Sequence, residues 1–332
     1  MTSKNNVAKK GGIVSLSGPT ESGKRMQRLR SGFTPLIFLG PAIILVLLFF
    51  FLPVILTVLI SLTDMATSTF AGRWRFVGLG NYERMYISPY TIKIFTNTVT
   101  YVIFTLSFFS VGMALVISLL TTSINKTAGT IFRALWLLPR ITPAVIYIIM
   151  VQYMLADAPS GILSQFVTTV LGGQAKNWLY SYPMVAVIIA NGLIGTSFGM
   201  IIFTSAIESI PPEYIMAARV DGASAWQIIW RITIPLIRWP LLFVTAYQTL
   251  SLLASFEQIL LLTNGGPGFY TTEVWALYAY HTALSNYLGN TEFGFGSALA
   301  AVLVVIGIVA SVVYLRVFRF NEMVAEPKIE VL

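Results

Sequence analysis

Cysteine is absent from this chain of 332 residues, histidine occurs once, at His281, and only 10% of the residues are charged. The first absence excludes a disulfide framework, a thiolate nucleophile and a Cys-ligated zinc. A lone histidine leaves no cluster to ligate a metal. The shortage of charge excludes a soluble globular domain, which carries about 25% charged residues. For the same reason the net charge of +8 does not point to nucleic acid. What the chain has instead is 56% hydrophobic residues and a mean hydropathy of +0.78. Its solvent is lipid.

A helix needs about 17–25 apolar residues to cross a bilayer. Six runs qualify, at 35–62, 94–120, 134–156, 182–207, 239–264 and 293–315. The runs are continuous rather than alternating, which predicts helices and not barrel strands. The first is too long for a cleaved signal segment and no small-residue cleavage site follows it, so it reads as a retained span. The expected fold is an all-α, polytopic membrane bundle of six transmembrane helices.

Orientation follows from Lys and Arg. One set of connectors and tails carries 15 of them, the opposite set carries 5, and Arg140 lies inside a run. This places both termini in the cytoplasm, together with the connector at 208–238. Residues 1–33 are polar, basic and rich in Gly and Ser, which predicts a disordered tail. Residues 34–320 form the membrane domain, and 321–332 a second short tail. Within the first tail, Gly18 to Lys24 nearly spells a phosphate-binding loop. Arg25, however, stands where a hydroxyl must reach magnesium, and no α/β core follows.

The connector between the fourth and fifth runs carries the clearest pattern. Pro211 and Pro212 open a helix over 213–220. Asp221-Gly222 marks a turn. A second helix starts at Ala223 and is limited by Pro235. Ala217, Ala218, Gly222 and Ala223 put small residues at the bend, which suits docking to another protein. In order, the chain reads Met216-Ala217-Ala218, three residues, Gly222, nine residues, Ile232-Thr-Ile-Pro235.

That spacing resembles the signature E-A-A-x-x-x-G, nine residues, I-x-L-P of permease subunits of type I ABC importers of the maltose-type carbohydrate group. Met216 replaces the usual Glu, and Ile234 the usual Leu. Downstream, Phe256-Glu-Gln-Ile-Leu-Leu-Leu-Thr-Asn-Gly-Gly-Pro267 is similar to the family's F-D-x-I-x-x-L-T-x-G-G-P. Phe132-Arg133, Pro139 and Pro143 resemble its third-span entry. The resemblance covers roughly 35–320. It implies a bacterial inner-membrane permease that imports a disaccharide, an oligosaccharide or a glycerol phosphate by alternating access. It implies no catalytic residue and no cofactor in this chain, with ATP and magnesium bound by two partner ATP-binding subunits. A second permease and an extracytoplasmic solute-binding protein complete the expected assembly. Glu213, Met216, Ala217, Ala218, Asp221, Gly222, Ile232 and Pro235 are the expected coupling residues, with no ionic anchor at position 216.

Polar groups inside a span are costly and face the bundle or an aqueous path. Gln248, Ser251, Ser255 and Gln258 recur at the spacing of one helical face, flanked by Tyr247 and Glu257. Either they line a solute path or they hold helices together. Glu257 can touch solute, pair with a basic group or cap the following loop. Asn191, Gln152 and Tyr153 are further path candidates. Arg140 is expected to snorkel to the interface. Trp74, Trp178 and Trp275 fit interfacial belts, although aromatic rings equally suit stacking on sugars. The alternative function is a stand-alone secondary transporter of a small polar solute, which needs buried titratable groups or broken half-helices near mid-membrane. A membrane enzyme would need a nucleophile–base pair or a metal cluster, which the sequence lacks.

Overall fold

The computed structural model describes residues 38–285 and 289–318. The basic tail at 1–33, its phosphate-loop lookalike and the tail at 321–332 lie outside the described residues. The chain divides into two units, one up to Leu56 and one from Thr57. The first is represented by most of helix α1, Phe38–Ser61, whose central window has a mean hydropathy of 3.3. A π-helical turn at Leu47–Phe51 lies just before Pro53. A proline cannot donate to the preceding turn, and such wide turns absorb that loss of register.

The second unit is helical throughout its regular elements. Helix α2 is Gly80–Ile87 and α3 is Pro89–Ser123. Helix α4, Lys126–Ile141, meets α5, Ala144–Leu155, at a bend of 98°. Short helices α6 (Ile162–Thr169) and α7 (Trp178–Ser181) lead into α8, Pro183–Glu208. Helix α9 is Pro212–Val220, and α10 (Ala225–Leu236) turns by 69° into α11 (Arg238–Ala254). Then come α12 (Glu257–Leu262), α13 (Trp275–Ala283) and α14 (Phe293–Val317). Among the described residues the only strand-like pairing is an isolated bridge between Thr63 and Phe76.

Among the described residues, four helices are long and apolar enough to cross a bilayer alone: α1, α3, α8 and α14. The α4–α5 and α10–α11 pairs qualify only as bent spans. The run at 134–156 is therefore not one straight helix. Pro143 excludes the α region for the residue before it, and Thr142 accordingly takes ψ of 135°. The run at 239–264 is also broken: Ser255 is extended, with ψ of 122°, and α12 starts afresh two residues later.

Helix α8 lies at the centre of the second unit, because glycine lets it approach α3 closely. A Cβ on Gly192 would meet Phe109 Cγ at 2.3 Å, and one on Gly199 would meet the carbonyl oxygen of Ser110 at 2.4 Å. The facing stretch of α3, Thr105–Met113, is π-helical. The Thr196 hydroxyl donates to the Phe109 carbonyl oxygen of that stretch, at 3.2 Å. Ser118 returns a bond from α3 to the Met200 carbonyl of α8, at 3.1 Å. Small residues and hydroxyl bonds hold membrane helices where lipid removes any hydrophobic drive between them.

Trp275, expected in an interfacial belt, belongs to the core instead. It is 4% exposed, and its Nε1–H donates to the Leu299 carbonyl at 2.8 Å. An indole buried this way needs such a partner.

Candidate functional site

Three regions carry the polar and exposed features that the packing leaves over. The first is the connector from α9 to α10. Gly222 has φ of +80°, a conformation open to glycine at no steric cost. Ser224 and Gln227 then form a reciprocal capping box that starts α10. Helix α10 does not stop at Pro235. A π-helical stretch, Ile229–Thr233, carries it through to Leu236.

Glu213, Met216, Ala217, Asp221 and Gly222 are exposed there, and Ala218 and Ile232 are half-buried. Beside them stand apolar side chains that sequence reasoning passed over. Tyr214, Val220, Trp226 and Trp230 are 57%, 88%, 68% and 53% exposed. The two indoles pack edge to face, 5.4 Å apart. Their four-residue spacing on a short helix was the available signal. A Cβ built on Gly222 would meet nothing within 4 Å, so the bend is open.

The second region runs through the middle of the bundle. Asn191 on α8 is buried and donates to the Tyr101 hydroxyl of α3 and, at 3.2 Å, to Ser255 Oγ. Tyr101 also donates to Ser255 Oγ at 3.3 Å, and Ser255 donates to Gln258 Oε1 at 3.2 Å. Gln152 on α5 donates to the Leu261 and Leu262 carbonyls, at 3.0 and 3.2 Å. The Gln152 bonds serve carbonyls at the C-terminal end of α12, and the others tie side chains together around Ser255, at the break between α11 and α12.

The four-residue polar stripe does not form one continuous face, because α11 ends at Ala254. Gln248 is buried and bonds to the Gly195 carbonyl at 3.0 Å. Ser251 is exposed, as are Phe243, Tyr247 and Ala254 along the same helix. Tyr247 stacks on Phe198 of α8 at 4.7 Å, and Phe198 lies 5.8 Å beneath the Arg140 guanidinium of α4. Arg140 therefore joins an aromatic row rather than only reaching for the interface. Phe198 and Phe243 were missed by sequence reasoning, since aromatic side chains in lipid-facing and path-facing positions look alike. Glu257 opens α12, exposed, and forms no ion pair among the described residues. Tyr153 is also exposed, at 64%.

The third region is a cleft of about 430 Å³ where the Thr-Asn-Gly-Gly loop meets α2, α13 and the start of α14. Glu273 is 3% exposed and takes a bond from His281 Nδ1 at 2.9 Å. His281 Nε2 reaches Asn264 Oδ1 at 3.0 Å. Arg84 pairs with Glu292 across the same opening. Burial pushes the Tyr278 phenol up to about 12, aided by Tyr270 and opposed by Arg84. Burial, then the charge of Glu273, also raises Tyr270. Both walls therefore present neutral hydroxyls. Gly265, with φ of +87°, leaves room for the carboxylate: a Cβ there would lie 1.9 Å from Glu273 Oε2.

The family described as the binding-protein-dependent transport system inner membrane component matches residues 92–320. An osmoprotective compounds uptake permease protein, GgtC of Synechocystis, is 30% identical over 86% of this chain and 99% of its own length. The trehalose/maltose transport system permease protein MalF of Thermococcus litoralis is 30% identical over 85% of this chain and 92% of its own. Among solved structures, a chain of a bacterial alginate ABC transporter, in complex with its alginate pentasaccharide-bound periplasmic protein, superposes with a TM-score of 0.76. It is 22% identical and covers 89% of this chain and 97% of its own. That likeness establishes the importer permease fold.

Proposed function

The chain belongs to the binding-protein-dependent transport system inner membrane component family, and from that premise we propose that it carries a carbohydrate inward through a bacterial plasma membrane by alternating access. It is a multi-pass membrane permease. Relatives named for trehalose/maltose, alpha-glucoside and multiple-sugar transport favour a disaccharide or short oligosaccharide. Two ATP-binding subunits, a second permease and an extracytoplasmic binding protein make up the proposed assembly. ATP and magnesium act on the ATP-binding subunits, and this chain supplies no catalytic group.

The observation that carries this reading is the exposed connector, where Tyr214, Met216, Val220, Trp226 and Trp230 surround an open glycine turn. Apolar side chains clustered in water mark a protein contact. Closure of the ATPase pair would move α9–α10 as a unit, and the 69° bend passes that motion to α11. The solute would follow the exposed face of α11, past Phe243, Tyr247 and Ser251, to Glu257 at the start of α12. Aromatic rings there offer apolar faces to sugar rings, and Ser251 and Glu257 offer hydrogen bonds. With the connector inside, both termini are cytoplasmic.

Reconstitution in proteoliposomes with all partners, scored for uptake of labelled maltose and trehalose, tests the proposal. Uptake should require ATP inside the ATPase-bearing compartment and the binding protein on the other side. Uptake by this chain alone, driven by an imposed proton or sodium gradient, would overturn it in favour of a secondary transporter.

A further inference from the structure

The cleft at the start of α14 holds a carboxylate that is only half used. Glu273 is 3% exposed, and its Oε1 takes the bond from His281. Its Oε2 takes no hydrogen bond among the described residues, and Glu273 lines the cleft. A buried charge short of hydrogen bonds is costly, so the open oxygen marks a place for donors from a ligand. The loop that carries it is tied to α3 in advance. Asn97 donates its amide to the Tyr270 and Glu273 carbonyls, at 2.7 and 3.1 Å, and Lys93 Nζ donates to the Phe269 carbonyl at 2.6 Å. A site held in shape before binding gives up less ordering entropy when its ligand arrives.

The other walls mix donors, acceptors and one exposed ring. Asn264 uses one end of its amide on His281 Nε2 and keeps the other end. Arg84 is paired with Glu292 through part of its fork and has further N–H groups to give. Phe269, at the lip, is 84% exposed. Charge then selects the ligand class. Two carboxylates, Glu273 and Glu292, disfavour an anion, and the Arg84 guanidinium disfavours a cationic side chain. A calcium ion takes about six to eight oxygens, and no group of three acidic or histidine side chains able to hold a metal occurs among the described residues. A neutral molecule rich in hydroxyls satisfies the carboxylate, the donors and the ring together. The cleft's volume of about 430 Å³ lies near the lower end of the ~300–1,000 Å³ of small-molecule sites.

We propose that this cleft is a carbohydrate subsite on the extracytoplasmic side. Glu273 Oε2 takes sugar hydroxyls, Asn264 and Arg84 donate to sugar oxygens, and Phe269 lies against the sugar's apolar face. His281 is a positioning residue, which holds the carboxylate through Oε1. The assignment rests on the carbohydrate-import reading above, in which both termini are cytoplasmic and the start of α14 lies outside. The cleft is then a stop for the sugar before the face of α11.

His281 is the only histidine in the chain, so its imidazole is a local probe of the cleft. The full chain, carrying no histidine tag, is labelled at histidine with carbon-13 and nitrogen-15 and placed in phosphatidylcholine nanodiscs at fixed pH. Maltose and trehalose should shift the His281 ring signals saturably, and glucose 6-phosphate should need about tenfold more or beyond. Glu273→Gln should weaken maltose binding about ten- to hundredfold, as loss of a hydrogen bond to a charge does. Phe269→Ala, on an exposed side chain whose loss leaves the fold in place, should weaken it about two- to twelvefold. A titration unchanged in either variant, or a stronger response to glucose 6-phosphate, would overturn the proposal. A shift caused only by sugar-free binding protein would also overturn it, assigning the cleft to protein docking. Unshifted signals with normal maltose uptake by the reconstituted complex would sink the cleft and leave import standing. Neither shift nor uptake of any sugar would remove import and cleft together.

Discussion

Gln248 of α11 donates its side-chain amide to the main-chain carbonyl of Gly195 in α8, across 3.0 Å. The missing side chain at Gly195 makes room for Ser110 of α3 beside that bond. A Cβ there would lie 2.9 Å from Ser110 Oγ and 3.5 Å from the Gln248 nitrogen itself. Gln248 is therefore a strut between helices. Gln248→Leu should cost about 0.6–1.7 kcal/mol of bundle stability, read as a lower midpoint of thermal unfolding in detergent. Uptake per assembled complex should stay near wild type. A normal midpoint with abolished uptake would move Gln248 into the path.

Tyr247 and Ser251, one position before and three after it, should behave in the reverse way. Both are exposed on α11. An aromatic contact contributes about 0.5–1.5 kcal/mol, so Tyr247→Ala should raise the KM for uptake about two- to twelvefold. Ser251→Leu should reduce uptake with no loss of protein in the membrane. Kinetics in proteoliposomes, alongside a measure of assembled complex, separate these outcomes from simple instability.

These two neighbours also show where sequence reading stops. The uncharged runs gave away the spans, since window hydropathy tracks helix length and lipid contact. The connector was legible too, because Pro212, Gly222 and the residue spacing constrain the backbone locally. Hydropathy says nothing about bends: the break at Thr142 was written only in Pro143, which bars the α region before it, and the break at Ser255 has no such mark. Nor does it tell a core indole from a belt indole, and Trp275 was misplaced for that reason. Lipid tails are as apolar as a protein interior, so no inside–outside contrast marks which face of α11 is buried. A main-chain carbonyl on another helix, that of Gly195, is what Gln248 meets on turning inward, and the sequence of α11 does not show it.

Topology is testable independently of transport. The 15-to-5 division of Lys and Arg orients the connectors. Reporter fusions at positions 20, 125, 225 and 325 should read as cytoplasmic, and those at 75, 170 and 275 as extracytoplasmic. A reversed pair would show that one of the bent helix pairs returns to its own side instead of crossing.

On the connector, Met216 is 53% exposed, and Trp226 and Trp230 are exposed as well. Docking there rests on apolar contact, so Met216→Leu should be tolerated, since it conserves volume and apolarity. Trp226→Ser combined with Trp230→Ser removes two large rings from one face. That pair should lower recovery of the ATP-binding subunits with this chain by tenfold or more, as contact hot spots of this type do. Met216→Glu should give no gain in uptake. Co-purification followed by ATPase assay measures all three. Full assembly of the double Trp variant would remove the connector from the interface.

Gly222 distinguishes backbone geometry from close approach. Its φ is +80°, and nothing lies within 4 Å of where a Cβ would stand. Within the isolated chain, a substitution there meets strain but no clash. The strain is about 1–2 kcal/mol for most residues and is smaller for Asn, which visits this region more readily. Gly222→Val, branched at Cβ, should distort the turn and uncouple ATP hydrolysis from uptake while the protein still reaches the membrane. Gly222→Asn keeps the turn but adds a side chain to the open surface. If the bend only needs positive φ, Gly222→Asn should transport at near wild-type rates. If a partner fits closely over the bend, Gly222→Asn should fold and reach the membrane normally yet couple as poorly as Gly222→Val. The family reading expects the second pattern, with ATPase rate and uptake measured on the same reconstituted complex. Normal coupling in both variants would take the turn out of the transmission path altogether.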